Sequence, residues 1–179
     1  MNAFKQDLEH IRRLARTKME DGPITDEYKA DRNKVVDVLN TVLATELVCM
    51  LRYKNHYYMA KGIHSQAVAD EFLEHAHEEE EHADMIAKRI TELNGEPNFD
   101  PATLALRSHA EYKSCATLKE MIVEDLVSER IAISTYNEIV RWLGDADITS
   151  RRIIEEILAK EEEHADDLQN LLGQIGQRS

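Results

Sequence analysis

Glu79 and His82 stand three residues apart, and so do Glu161 and His164, each pair inside the same hexapeptide, Glu-Glu-Glu-His-Ala-Asp, at 79–84 and 161–166. On a helix, side chains at that separation project from one face, so each pair is a two-point clamp for a cation. Both clamps have the same prelude. Tyr53 follows Glu46 by seven residues and Tyr136 follows Glu129 by seven; from Glu46 to His82 is 36 residues and from Glu129 to His164 is 35. Two copies nearly in register describe a duplicated helical hairpin built around one site. Four carboxylates and two imidazoles converging in a core repel one another unless a cation sits among them, and two divalent ions cancel the four negative charges. Carboxylate and imidazole with no thiolate favour iron or manganese over zinc or copper. If the Glu-rich runs were only solvated helix faces, Glu80, Glu81, Glu162 and Glu163 would be accounted for. Glu46 and Glu129, and the matched spacings, would not.

Long helices must carry these groups. Between Asp31 and Lys61 the residues Val35, Val38, Leu39, Val42, Leu43, Glu46, Leu47, Met50 and Tyr53 recur at helical spacing, with Glu46 the sole charge on the stripe. Gly62 and Ser65 mark a tight turn, Ser65 serving as N-cap of a second helix over Ser65 to Asn94. Its stripe reads Val68, Phe72, His75, Glu79, His82, Ile86, Ile90 and Leu93, and Asn94-Gly95 closes it with the glycine as stop. The connection from Gly95 to Ala116 contains Pro97 and Pro101. A crossover spanning the length of a bundle gives so long a loop a reason, since the second and third helices can then run parallel. The third helix covers Thr117 to Leu143, Gly144 to Asp147 is a short turn, and the fourth covers Ile148 to Leu172. The expected fold is all-α: a four-helix bundle over residues 31–175, with one long crossover between helices 2 and 3. Residues 1–30 form an N-terminal extension, with a short basic helix expected over 2–20.

The chain's 179 residues fit one domain, and its acidic balance, 35 Asp and Glu against 22 Lys and Arg for a net charge of -13, repels nucleic acid and anionic lipid. No apolar run approaches the roughly 18 residues of a membrane span. The segment Met1 to Leu14 is charged and broken, so a cytoplasmic protein is expected. Cys49 and Cys115 form no metal-binding or disulfide framework and are expected as reduced thiols.

Thr45-Glu46-Leu47-Val48 with Tyr53, Glu79-x-x-His82-Ala83-Asp84, Asp125-Leu126-x-x-Glu129 and Glu161-x-x-His164 together resemble the bacterioferritins and related mini-ferritins, including the DNA-protecting starved-cell type. The resemblance runs from about Asn33 to Leu172 and implies a ferritin-like bundle. It further implies that Glu46, Glu79, His82, Glu129, Glu161 and His164 hold two iron ions per subunit, with manganese or zinc as possible substitutes. Glu79 and Glu161 then lie on the histidine-bearing helices, one of them bridging, and Glu46 and Glu129 are the terminal carboxylates. Haem is not expected, because the position of the haem-binding Met is occupied by Glu80. Only fifteen residues follow His164, too few for the fifth helix of a 24-subunit shell, so a homo-oligomeric shell of twelve is favoured and twenty-four stays open.

Weaker candidates surround these six. Tyr53 and Tyr136 either hydrogen-bond ligands or are plain core tyrosines. Asp125, one turn before Glu129, either orients a ligating histidine from behind or lies on the helix surface. His75, one turn before Glu79, lines an entrance or is incidental. Glu74 and Glu78 are spare glutamates for mineral nucleation. The expected function is a ferroxidase and iron-storage protein, oxidising Fe(II) with O2 or H2O2. The alternatives are a non-storage di-iron or di-manganese peroxidase or catalase, and a mini-ferritin that coats DNA through Arg12 to Lys18.

Overall fold

A computed structural model describes residues 4–61 and 65–176 of the chain. It contains α1 (Leu8–Leu14), a 3-10 turn (Met19–Asp21), α2 (Arg32–Met59), α3 (Ser65–Glu92), α4 (Leu104–Arg107), α5 (Leu118–Leu143) and α6 (Ile148–Gly176). The fold is a ferritin-like bundle of α2, α3, α5 and α6. Helix α2 packs chiefly on α3, and α5 on α6, as the duplicated hairpin requires. The expected turn at Gly62 and the Ser65 side-chain cap lie outside the described residues.

Local chemistry sets the helix ends. Asp31 caps α2 by accepting from the Lys34 amide, and Thr117 with Glu120 closes a reciprocal capping box on α5. Helix α3 ends differently from the expectation. Asn94, not Gly95, takes the left-handed conformation (φ 58°), and the Gly95 and Asn94 amides bond to the Ile90 and Thr91 carbonyls. That is a Schellman ending with asparagine at the left-handed position. Gly95 is needed for another reason: a Cβ there would stand 2.7 Å from a Val36 methyl. The glycine lets the end of α3 lie against the start of α2.

From that point the connection climbs the full length of α2. Asn40 bonds the backbone of Glu96 and Asn98, Thr45 accepts from the His109 amide, Arg52 donates to the Glu111 carbonyl, and His56 pairs with the Lys113 carbonyl. Helix α5 therefore starts at the far end and runs parallel to α3. The one turn of α4 inside this crossover was not legible from periodicity.

The N-terminal helix is shorter than expected. It spans only Leu8–Leu14 and buries nothing; Leu8 and Ile11 stay half exposed, and Lys18 breaks the run in the left-handed region. At fewer than two turns and with none of its residues buried, it gains too little packing to propagate. Residues 24–30 are better anchored. Ile24 and Tyr28 pack on the core, and Tyr28 donates to Asp147, which also pairs with buried Arg89 at 3.0 Å. Among the described residues no helix is long and apolar enough to cross a membrane.

The core is split into two apolar blocks. One contains Val35, Leu39, Leu43, Ile86, Ile90, Leu143, Ile154 and Ile157; the other contains Tyr53, Phe72, Met121, Ile122 and Leu168. Along every bundle helix the Glu and His of interest fall between the two blocks. The fold thus seals a polar slab between apolar ends.

Candidate metal centre

Each of the four helices delivers to this slab. Helix α2 brings Glu46, α3 brings Glu79 and His82, α5 brings Glu129, and α6 brings Glu161 and His164; His82 is the most exposed of them at 6%. His82 Nδ1 lies 3.1 Å from Glu46 Oε2, 3.1 Å from Glu161 Oε1 and 3.8 Å from Glu79 Oε2. His164 Nδ1 lies 3.5 Å from Glu79 Oε1 and 3.6 Å from Glu161 Oε2. Two overlapping groups result. Glu46, Glu79, His82 and Glu161 form one, and Glu79, Glu129, Glu161 and His164 the other, with the donor atoms of each group within 4.8 Å of one another. Glu79 and Glu161 belong to both groups, whereas Glu46 and Glu129 belong to one each. Sequence spacing left open which glutamate is shared; the geometry shares both.

The donor set fits a pair of cations. Glu79 Oε1, Glu129 Oε2, both Glu161 oxygens and His164 Nδ1 are buried without a hydrogen bond. Leaving so many lone pairs and charges unsatisfied in a dry slab is costly, and divalent ions among them remove the cost. In their place protons must compensate. Burial, with repulsion from Glu79 and Glu161, pushes the Glu46 carboxyl well above the usual range; burial, with Glu161 and Glu79, does the same to Glu129. Burial opposes charge on the imidazoles, but the surrounding glutamates win, raising His164 to about 11 and His82 further still. Against burial, the nearby His82 and His164 imidazoles hold Glu79 and Glu161 below the usual carboxylate pKa. Protons drawn to the histidines and to Glu46 and Glu129 thus offset the buried negative charge when no cation is bound.

Loading divalent cations must displace protons from these groups, because their pKa values are raised and a ligand binds metal in its deprotonated form. The raised pKa values fix the sign, since the cation competes with protons for these groups and the proton concentration rises as pH falls. Affinity therefore weakens toward acid. Calorimetry of Mn2+ binding in buffers of different ionisation enthalpy is expected to show net proton release on loading; a release near zero contradicts the assignment.

The tyrosines bond Glu46 and Glu129 crosswise. Tyr53 of α2 donates to Glu129 Oε1 of α5, and Tyr136 of α5 donates to Glu46 Oε1 of α2. Asp125 does not orient a ligating histidine. Fully buried, it binds Arg52 Nε at 2.7 Å and His56 Nδ1 at 2.8 Å, tying α5 to α2 beside the centre. The carboxylate placed behind a histidine of the centre is Glu78, expected from the sequence only as a spare glutamate for mineral nucleation. Its Oε2 lies 2.7 Å from His164 Nε2 and its Oε1 lies 3.2 Å from Lys160 Nζ, so Nδ1 of His164 faces inward. The signal was the repeat register: Glu78 precedes Glu79 where Lys160 precedes Glu161. The two halves differ in charge at that position, and the two residues pair. Glu80 is exposed and lies beside Lys54. Cys49 is buried with Sγ 3.7 Å from Ser128 Oγ, and burial pushes its thiol well above the usual range; Cys115 is also free.

Residues 36–177 match the ferritin-like domain family. A bacterioferritin from Brucella melitensis biotype 1 is 32% identical over 150 residues, covering 80% of this chain and 88% of that one. The fold is similar to that of a dodecameric thioferritin, the bacterioferritin-related protein of Bacteroides fragilis, with TM-score 0.80 and 35% identity over 84% of this chain and 90% of that one. It is also similar to the bacterioferritin of Desulfovibrio desulfuricans, whose structure describes a diiron site in different catalytic states, with TM-score 0.71 and 26% identity over 82% of each chain.

Proposed function

This chain belongs to the ferritin-like family, among relatives of the bacterioferritins, and on that premise we propose that it is a ferroxidase and iron-storage protein whose intra-subunit centre holds two irons on Glu46, Glu79, His82, Glu129, Glu161 and His164. The carrying observation is the pair of overlapping donor groups sharing Glu79 and Glu161. Sharing both residues keeps two cations a few ångströms apart, the arrangement needed to act jointly on one oxidant.

The two ferrous ions are substrates, each giving up one electron to O2 or H2O2 on the way to Fe(III). The chain supplies the rest. Glu79 and Glu161, which belong to both donor groups, would hold both ions, with Glu46 and His82 serving one and Glu129 and His164 the other. Tyr136 and Tyr53 hold the outer carboxylates, while Glu78 fixes the His164 tautomer. The apolar blocks above and below keep bulk water out, so the fixed negative charge favours the higher-charged ferric product. We read the assembly as a cytoplasmic shell of twelve subunits, whose acidic surface, Glu74 included, nucleates ferric mineral.

Anaerobic loading with Fe(II) followed by air tests this. A fast oxidation phase saturating near two irons per subunit, followed by continued uptake into a particle of hundreds of kilodaltons, is the expected result. Turnover of peroxide with no retained iron would instead establish the peroxidase or catalase reading. A low-salt gel shift that disappears on removal of residues 1–20 would establish the DNA-coating one.

A further inference from the structure

A second group of donors lies just outside the dinuclear centre and plays no part in it. His75 of α3 is 2% exposed, yet neither ring nitrogen makes a hydrogen bond to a described residue that accounts for its burial. Its Nδ1 has no partner, and its Nε2 faces Glu71 Oε1 at 3.5 Å and Asp167 Oδ2 at 3.9 Å. Those separations are long for hydrogen bonds. They are close to the spacing of roughly 3–3.5 Å at which three donors sit when each bonds one cation at about 2.1 Å. The three atoms lie within 4.8 Å of one another. Glu71 and Asp167 are 32% and 42% exposed, so the group opens to water on its carboxylate side. On its other side the His75 ring stacks on the His164 ring, centroids 4.1 Å apart and planes 21° from parallel.

From this geometry we infer a third cation site, in which Glu71 Oε1, His75 Nε2 and Asp167 Oδ2 bind one divalent transition-metal ion at the solvent edge of the bundle, one imidazole's thickness from the dinuclear centre. Two carboxylates and one neutral imidazole suit Fe(II), Mn2+ or Zn2+, and water completes the coordination from the open side. Glu74 and Glu78 add negative charge nearby without a bond to the ion. A site so placed loads the centre. A cation captured by the exposed carboxylates waits against the ring that backs His164 and raises the local concentration for transfer. This loading role rests on the ferroxidase reading; the binding site does not.

The test uses the whole protein and Mn2+. Anomalous diffraction from crystals soaked in Mn2+ is expected to show three peaks per subunit, two among the six central ligands and one between Glu71, His75 and Asp167. In E71Q/D167N, whose substitutions fall at part-exposed positions and keep the side-chain shape, the third peak disappears and the central pair remains. The variant is also expected to lose about tenfold in kcat/KM for Fe(II), with kcat unchanged. A filled central pair with no third peak in the unsubstituted protein overturns the site and leaves the ferroxidase reading standing. A third peak that persists in the double variant overturns the ligand assignment. An unchanged KM with the third peak lost overturns the loading role. Empty central positions would count against the ferroxidase reading instead.

Discussion

Glu129→Ala is expected to abolish the fast phase of ferrous oxidation, lowering its rate by at least about 100-fold, while Glu163→Ala leaves it unchanged. Disturbing groups that merely orient ligands already costs roughly 10–100-fold, and Glu129 is proposed as a ligand itself. It is fully buried, takes the Tyr53 hydroxyl on one oxygen and turns the other, unpartnered, toward Glu79, Glu161 and His164. Alanine removes one carboxylate from only one of the two donor groups. One ion is then held by Glu46, Glu79, His82 and Glu161 and the other loses its terminal ligand, so the joint two-electron step fails although one cation still binds. Glu163, although next to His164 in the chain, is exposed on α6 and paired with Lys160 at 2.7 Å. Stopped-flow absorbance of ferric product, with parallel equilibrium counts of bound Fe(II), checks both halves. Equal rates in Glu129→Ala and the unsubstituted protein would remove Glu129 from the site.

The largest effect on stability is expected at Asp125. Asp125→Ala leaves Arg52, 2% exposed, without its carboxylate in the core beside the centre. Removing one member of a buried ion pair costs about 3–5 kcal/mol, because the surviving charge stays buried without compensation. For a domain of this size that is a fall of roughly 10 °C in melting temperature. The Ser128 hydroxyl and Glu111 carbonyl still accept from Arg52 but carry no charge to balance it. Removing the pair together, in R52M/D125L, is expected to cost much less, since no bare charge is left behind. Calorimetry of the cation-free protein distinguishes the two. A single variant no less stable than the double would show that the pair does not hold α5 to α2 as described.

Where sequence was informative, the reason is periodicity. A lone Glu46 on an apolar stripe, and a Glu-x-x-His repeated 82 residues later, are local patterns that a helix converts into faces. The crossover was legible because so long a loop needs a distance to span. What stayed hidden depends on contacts between helices. Nothing local to Asp125 distinguishes an acid that orients a histidine from one that meets Arg52 and His56 across the bundle. The crossing of Tyr53 to Glu129 and Tyr136 to Glu46 is likewise set by the antiparallel register of α2 and α5. The end of α3 misled for a different reason: Asn94 and Gly95 both tolerate a left-handed backbone, and only the approach of Val36 decides which one is used. Helix α4 is a single turn, too short to impose a period.

Anomalous diffraction at the iron edge, from crystals loaded anaerobically with Fe(II), asks the central question most directly. The account predicts two strong peaks roughly 3.5–4 Å apart, with Glu79 and Glu161 touching both, Glu46 and His82 one, and Glu129 and His164 the other. A single central peak, or iron found only on outward carboxylates such as Glu80 and Glu162, would contradict it.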